Sequence, residues 1–381
     1  MTRVTGDWIN APAAQSVCRA IEDAGHQVFF VGGCVRNDLL GVPISDLDLS
    51  TDALPDQVMQ IATAAGMRAV PTGIDHGTVT VVVNGEGLEV TTFRKDVETD
   101  GRRAVVAFSD NLEDDAHRRD FTMNALYATP DGRIVDPLGG LDDLRARRVR
   151  FIDDAGDRIR EDYLRTLRFF RFHAWYGDPA GGLDADGLAG ISANLDGLET
   201  LSRERVGSEM LKLLAAPDPA ASVAAMAQAN VFAVVLPGAD ATSLPVLIHL
   251  EEGRAPDAIR RLAALGGEDV GERLRLSKRD RKRLDLLRQG MESVTQAGEL
   301  AYRHGAPVAE DVTLLRAAQM GVPMDIDAQR EIEKGARATF PVKPADLLPA
   351  FTGPALGAEL KRLEDLWVAS GFELQRKDLL A

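Results

Sequence analysis

Cysteine is almost absent: Cys18 and Cys34 are the two in 381 residues, with neither a disulfide framework nor a metal-ligand spacing between them. That fits a reducing compartment, and the cytoplasm is the expected location. Long apolar runs are missing too. No stretch approaches the roughly twenty residues a membrane helix needs, and no basic segment followed by an apolar core opens the sequence, so no membrane contact and no signal peptide are expected. Repeats and low-complexity tracts are absent, and 45% hydrophobic with 27% charged residues excludes global disorder. Surplus positive charge is lacking as well. The net charge of −15 argues, taken alone, against a polyanionic partner.

The average hides two local excesses. Arg145 to Arg171 holds nine Arg against five acids, and Glu272 to Arg288 holds eight Lys or Arg against three. Each reads either as a basic patch or as a solvated helix face. Up to about residue 150, the β-rich runs "HQVFFVGG", "DLDLST", "GTVTVVV", "LEVTTFR" and "GRIVDP" alternate with helical stretches at 12–24 and 54–65, the pattern of a mixed α/β domain. Beyond about 155 the β-rich runs stop. Leu, Ala and Arg then recur at helical spacing through "EDYLRTLRFFRFHAWY", "RERVGSEMLKLLA" and "RDRKRLDLLRQGM", with turn-rich breaks at 177–182, 216–220 and 265–269. The expected organisation is an α/β head at 1–150 and an all-α remainder divided into 151–215, 216–290 and 291–381.

Chemistry concentrates in "VFFVGGCVRNDLLGVPISDLDLST", Val28 to Thr51. If its first part is a strand turning into a short helix, Gly32 and Gly33 sit at the helix N-terminus, where free amides and the positive dipole end attract a phosphate. Arg36, one turn in, adds a charged fork to the same anion. The glycine pair also has a purely steric reading. Further on, strand alternation puts Asp46 and Asp48 on one face, about 7 Å apart, and Leu47 and Leu49 on the other. Two such anions repel unless a cation lies between them. Mg²⁺ is the natural one, since it takes a few carboxylates together with water and phosphate oxygens; a solvated turn is the alternative.

"VGGCVRNDLLG...DLDLST" resembles the first motif of the class II tRNA nucleotidyltransferases and bacterial poly(A) polymerases, of the DNA polymerase β-like superfamily. In the order that family shows, "RRDFTMNAL" (118–126), "DPLGGLDDL" (136–144), "EDYLRTLRFFRF" (161–172) and "SRERVGSEMLKLL" (202–214) are similar to its later motifs. "GPALGAELKRLEDLWVASGF" resembles its C-terminal helical segment, so the resemblance spans nearly the whole chain. It implies a polymerase β-like nucleotidyltransferase palm as the head, followed by an all-α neck, body and tail.

The resemblance also implies roles. Asp46 and Asp48 would hold two Mg²⁺ ions for a two-metal mechanism, with Glu89 a third catalytic carboxylate. Gly33, Arg36 and Arg119 would contact the nucleotide, with Asp120 and Asn124 completing the same motif; Asp120 reads alternatively as the cap of a helix begun by "FTMNALYA". Asp162, Arg165, Arg168 and Arg171, which would also bind the nucleotide, recur every third residue, placing neighbours on one slowly rotating helix face. In the family the Asp and first Arg read the base. Cytosine and adenine each offer an amino donor beside an unprotonated ring nitrogen, so a carboxylate accepts from one and a guanidinium donates to the other, while uracil and guanine invert both groups.

The implied activity is template-independent addition or repair of the tRNA 3'-terminal CCA from CTP and ATP, with the tRNA acceptor arm as partner. Poly(A) polymerase is the rival within the enzyme class, and a silent tRNA-binding protein the rival outside it. "AVPTGIDHGTVTVVV" lacks the basic-aromatic segment of the poly(A) polymerases. A long polar span at 94–110 suits full CCA addition. Asn37 stands where the family commonly has Asp, with a small structural effect expected. No His-Asp dipeptide occurs, which counts against an appended HD-type phosphohydrolase. Nothing in the sequence sets an oligomeric state.

Overall fold

A computed structural model describes residues 2–100 and 103–381. Contacts divide the chain into two compact units, Met1–Val235 and Leu236–Ala381, so the break expected at 215–216 lies inside the first.

The first unit opens with α1 (Pro12–Asp23), β1 (Val28–Val31), α2 (Gly33–Leu40), β2 (Asp48–Thr51), α3 (Pro55–Ala64), β3 (Arg68–Gly73), β4 (Thr78–Val83) and β5 (Glu86–Thr92). β6 (Arg94–Asp100) and β7 (Arg103–Phe108), α4 (Leu112–His117), β8 (Tyr127–Ala128), β9 (Ile134–Val135) and α5 (Gly140–Arg145) complete the head. Seven strands form one mixed sheet in the order β3-β4-β5-β2-β1-β8-β9, in which β2 and β5 run parallel and every other pair antiparallel. Phe30, Leu49, Val79 and Val90 are fully buried on the alternating inward positions of four of these strands. α1 and α3 pack on each other and against the β3-β4 side.

The polar span at 94–110 is an antiparallel two-stranded ribbon, β6 with β7; its Gly101 and Arg102 lie outside the described residues. "FTMNALYA" begins no α-helix but a single 3-10 turn, Thr122–Asn124, leading into β8. The sheet therefore overrides the helical propensity of Met, Ala and Leu.

Helices follow: α6 (Ala155–Glu161), α7 (Leu164–Tyr176), α8 (Ala185–Ser192), α9 (Arg203–Leu214), α10 (Ala220–Gln228) and α11 (Val231–Val235). α7 is amphipathic and buries Leu167, Phe169, Phe170 and Phe172. Phe172 and Phe169 meet Phe121 and Phe151, with Phe121 and Phe172 centroids 4.8 Å apart and Phe151 stacked on Phe169 at 5.4 Å. Such aromatic contacts lock α7 onto the segment before β8, and that packing fixes everything α7 carries relative to the sheet.

The second unit is helical throughout: α12 (Leu244–Leu250), α13 (Ala258–Leu265), α14 (Val270–Arg273), α15 (Lys278–Glu292), α16 (Ala297–His304), α17 (Ala306–Met320), α18 (Ile326–Arg337), α19 (Gly353–Ala369) and α20 (Arg376–Leu379). α12, α13 and α15 pack on α17, and α16 packs on α18. Beneath them Arg260 pairs with Glu251 and Asp311, Arg261 with Glu251, and Arg283 with Asp257 and Asp311. No helix among the described residues is long and apolar enough to cross a membrane.

Candidate active site

β1 ends at Val31 and is followed by Gly32, whose φ of 69° is a left-handed value that glycine adopts without strain. This turn starts α2 at Gly33, as the glycine pair predicts, and Gly41 closes the helix in the αL conformation. Arg36 lies in the first turn of α2 and is only 5% exposed. Its guanidinium donates to Asn124 Oδ1 (2.8 Å), Asn37 Oδ1 (2.9 and 3.2 Å) and the Tyr176 hydroxyl (3.0 Å). Asn37 in turn donates to the carbonyl of Pro43 at 2.7 Å.

β2 starts at Asp48, so Asp46 lies just before the strand rather than within it. Asp46 and Asp48 are both exposed, Leu49 is fully buried and Leu47 half-buried, which keeps the expected alternation. Parallel pairing of β2 with β5 sets Asp48 directly beside Glu89. Burial first, then the charge of Glu89, push the Asp48 carboxyl above the usual range; Arg119 opposes them, and Asp46 adds a smaller push. No hydrogen bond or ion pair among the described residues neutralises Asp48 or Glu89. Among those residues no three His, Cys, Asp or Glu converge on one point. Mg²⁺ needs only one or two protein carboxylates beside water and phosphate oxygens, so an acid edge with no directly bonded cation among the described residues fits that ion.

Arg118, Arg119 and Asp120 form the hinge of the site. Arg119 donates to Asp115 Oδ2 (2.9 Å) and to the Tyr127 hydroxyl (3.1 Å), and Tyr127 donates to the same Asp115 oxygen (2.8 Å). Burial pushes Asp115 up, but Arg119 and Arg118 outweigh it and hold the carboxyl below its ordinary value. Asp120 is 6% exposed. It accepts from its neighbour Phe121 N–H (2.9 Å), Asn124 Nδ2 (3.1 Å) and both Nε (2.7 Å) and Nη2 of Arg168. Burial opposes its ionisation, yet Arg168 and Asn124 bring its pKa down to about 2. Its partner is thus an arginine on α7, not a helix N-terminus.

The repeating Asp-Arg row is not one continuous face. Asp162 is the extended break between α6 and α7, with φ −151°, because its carboxylate accepts from Leu164 N–H (3.1 Å) and competes with the helix for that amide. Its other oxygen accepts from Arg205 of α9 at 2.7 Å. Arg165 donates through Nη1 to the Arg158 carbonyl (2.9 Å) and Glu161, and through Nη2 to the Arg118 carbonyl (3.2 Å). Arg171 pairs with Glu209. The three α7 arginines therefore point to three different acids. Glu161, Arg205, Glu209, Tyr176 and Asp115 went unassigned in the sequence, although Asp115 stands four residues before Arg119 on a short helix, a spacing that signals an ion pair.

A mixed sheet with an acidic edge that no described residue pairs directly, a glycine turn opening a helix beside it, and an arginine-bearing helical neck locked to the same sheet define a nucleotidyltransferase of the polymerase β-like type. The family model for the poly A polymerase head domain matches residues 28–150, and that for the probable RNA and SrmB-binding site of polymerase A matches 183–242. The mouse mitochondrial CCA tRNA nucleotidyltransferase 1 is 31% identical over 96% of this chain and 88% of its own length. The CCA-adding enzyme of Lacticaseibacillus paracasei is 33% identical over 97% of this chain and 94% of its own. The crystal structure of the Bacillus stearothermophilus CCA-adding enzyme in complex with CTP superposes with a TM-score of 0.73 at 29% identity, covering 94% of this chain and 92% of that one. This chain belongs to the class II CCA-adding tRNA nucleotidyltransferase and bacterial poly(A) polymerase family.

Proposed function

We propose that this protein is a template-independent RNA nucleotidyltransferase that adds or repairs the 3'-terminal CCA of tRNA, using CTP and ATP and releasing pyrophosphate. One observation carries the reading. The segment Arg118–Arg119–Asp120 supports both halves of the site: Arg119 lies in the field of Asp48, while the Arg118 carbonyl and the Asp120 carboxylate hold Arg165 and Arg168 of α7. Nucleotide chemistry and base reading thus share one rigid support.

Asp46 and Asp48, with Glu89 beside them, are the residues that would hold Mg²⁺. Bound there, the ion would lower the pKa of the RNA 3'-hydroxyl and stabilise charge on the phosphates. Gly33 amide, Arg36 and Arg119 bind the triphosphate and sugar. Asp162 and Arg165 read the base with the hydrogen-bonding capacity their fixed partners leave. A guanidinium has five N–H donors, and three of Arg165's bonds are already made, leaving Nε–H and one Nη2–H for a ring nitrogen. Asp162 spends one acceptor on Leu164 and one on Arg205, leaving lone pairs for an amino group. Arg168 and Arg171 hold the helix through Asp120 and Glu209.

In this assignment residues 1–150 are the catalytic head, 151–215 the neck, 216–290 the body and 291–381 the tail that holds tRNA. Both cysteines are free and buried, in keeping with the cytoplasm. The names of the relatives favour CCA addition over polyadenylation. Incubation with tRNAs ending before CCA, after C and after CC, each with one nucleotide at a time, tests the reading: C, C and A additions in that order are expected, and untemplated A tracts would replace it with polyadenylation.

A further inference from the structure

Among the described residues no carboxylate bonds directly to the buried Arg36 guanidinium; the charge of Asp120 acts on it from behind Asn124, which bonds to both. The partners of Arg36 are two amides, Asn37 and Asn124, and one phenol, Tyr176. The guanidinium carbon lies 4.0 Å from the Tyr176 ring centroid and 5.1 Å from that of Phe172. Burying a charge without a directly bonded counter-ion is costly, and burial here pulls the Arg36 pKa below the usual arginine value, with Tyr176 and Asp120 only partly opposing it. A carboxylate partner would relieve that cost and cancel the charge. Amides and an aromatic face orient the guanidinium and leave it positive.

Tyr176 is the last residue of α7, the helix whose second residue is Arg165. Eleven positions separate them, about 16 Å along the axis. One rigid helix therefore touches the base-reading pair at its start and Arg36 at its end. We infer that Tyr176 is a positioning residue for triphosphate binding, holding Arg36 by its hydroxyl and ring so that base and phosphates are gripped in fixed register by α7. The inference rests on the proposed role of Arg36 at the phosphates. The hydroxyl fixes the direction of Nη2 through one hydrogen bond, and the ring supplies a cation–π contact. Phe172 and Asn124 keep Arg36 near its place when Tyr176 is changed, so the loss is one of aim rather than of fold.

The test is equilibrium binding of ATP and of AMP to the full-length protein, measured by calorimetry for Tyr176→Phe, Tyr176→Leu, Arg36→Ala and the double variant Arg36→Ala/Tyr176→Leu. Tyr176→Leu is expected to weaken ATP about tenfold and AMP less than twofold, and Tyr176→Phe to weaken ATP by about threefold. The double variant should bind ATP no worse than Arg36→Ala alone, because Tyr176 acts through Arg36. Equal losses of ATP and AMP in Tyr176→Leu, or additive losses in the double variant, would overturn the inference while the phosphate role of Arg36 stands. An unchanged preference for ATP over AMP in Arg36→Ala would overturn that role and the inference with it.

Discussion

Replacing Asp48 with Asn separates the chemistry of the acidic edge from its contribution to the fold. Asp48 and Glu89 are direct neighbours across parallel strands, roughly 4.8 Å apart along the hydrogen-bonding direction. Two unit charges at that spacing repel by about 3 kcal/mol at an effective dielectric of ~20. Both side chains are exposed, and water and salt reduce that to about 0.5–1 kcal/mol. The folded carboxyl is held above its ordinary pKa, so the native state binds this proton more tightly than the unfolded chain, and stability falls as pH rises through the folded value. At neutral pH Asp48→Asn removes that penalty. The melting temperature, scanned with EDTA present, should rise by about 1–3 °C. Addition of A to a tRNA ending in CC, followed in single-turnover mode, should fall by about a thousandfold, the equivalent of roughly 4 kcal/mol less transition-state stabilisation. Turnover within a few-fold of wild type, or a melting temperature lowered by several degrees, would refute the reasoning.

Asp120, held at about 2 by Arg168, contributes stability that is complete above the unfolded carboxylate value near 4 and lost as pH falls toward 2, about 2 kcal/mol in all; denaturant titrations across that window should show the loss in wild type and not in Asp120→Asn. Lys278, Arg279 and Arg281 are exposed on α15 and make no ion pair among the described residues, unlike Arg283. Their joint replacement by Ala should weaken tRNA binding and flatten its salt slope by roughly one unit for each phosphate no longer neutralised, with CTP constants unmoved; unchanged affinity would return them to a solvated helix face. Shortening the β6-β7 ribbon should depress A addition and spare C addition, and equal losses in single-nucleotide assays would make the ribbon purely structural.

What the sequence showed best was what local patterning controls. Five β-rich runs, the helices at 12–24 and 54–65, and the glycine turn before α2 all appear where periodicity and turn chemistry put them. β3 and β8 went unread because each depends on its sheet neighbours: β3 includes Pro71 and is half exposed, and β8 is two residues long. In the ribbon β6 is polar and carries no apolar alternation to announce it, whereas the apolar run of β7, Ala104 to Phe108, was legible but sits inside a span read as a whole for its charge. In the site, the acid edge and the glycine turn were legible because their groups lie close in sequence. The partnerships Asp120–Arg168, Asp162–Arg205 and Arg36–Tyr176 span 48, 43 and 140 residues; the packing of α7 on the Phe121–Phe151 cluster brings the first and third together, and that of α9 on α7 the second. Likewise the break at Asp162 follows from a capping bond that the three-residue spacing of its arginines conceals.

The central claim, that Asp162 and Arg165 choose the nucleotide, is tested most directly by incorporation of each of the four triphosphates onto a tRNA lacking CCA, comparing wild type with Arg165→Ala. Leaving a buried polar edge unpaired costs about 1–3 kcal/mol. Efficiency for CTP and ATP should therefore fall by roughly ten- to a hundredfold, while UTP and GTP lose much less and selectivity moves toward parity. If Arg165→Ala slows all four alike and keeps the wild-type preference, the Asp-Arg pair does not read the base.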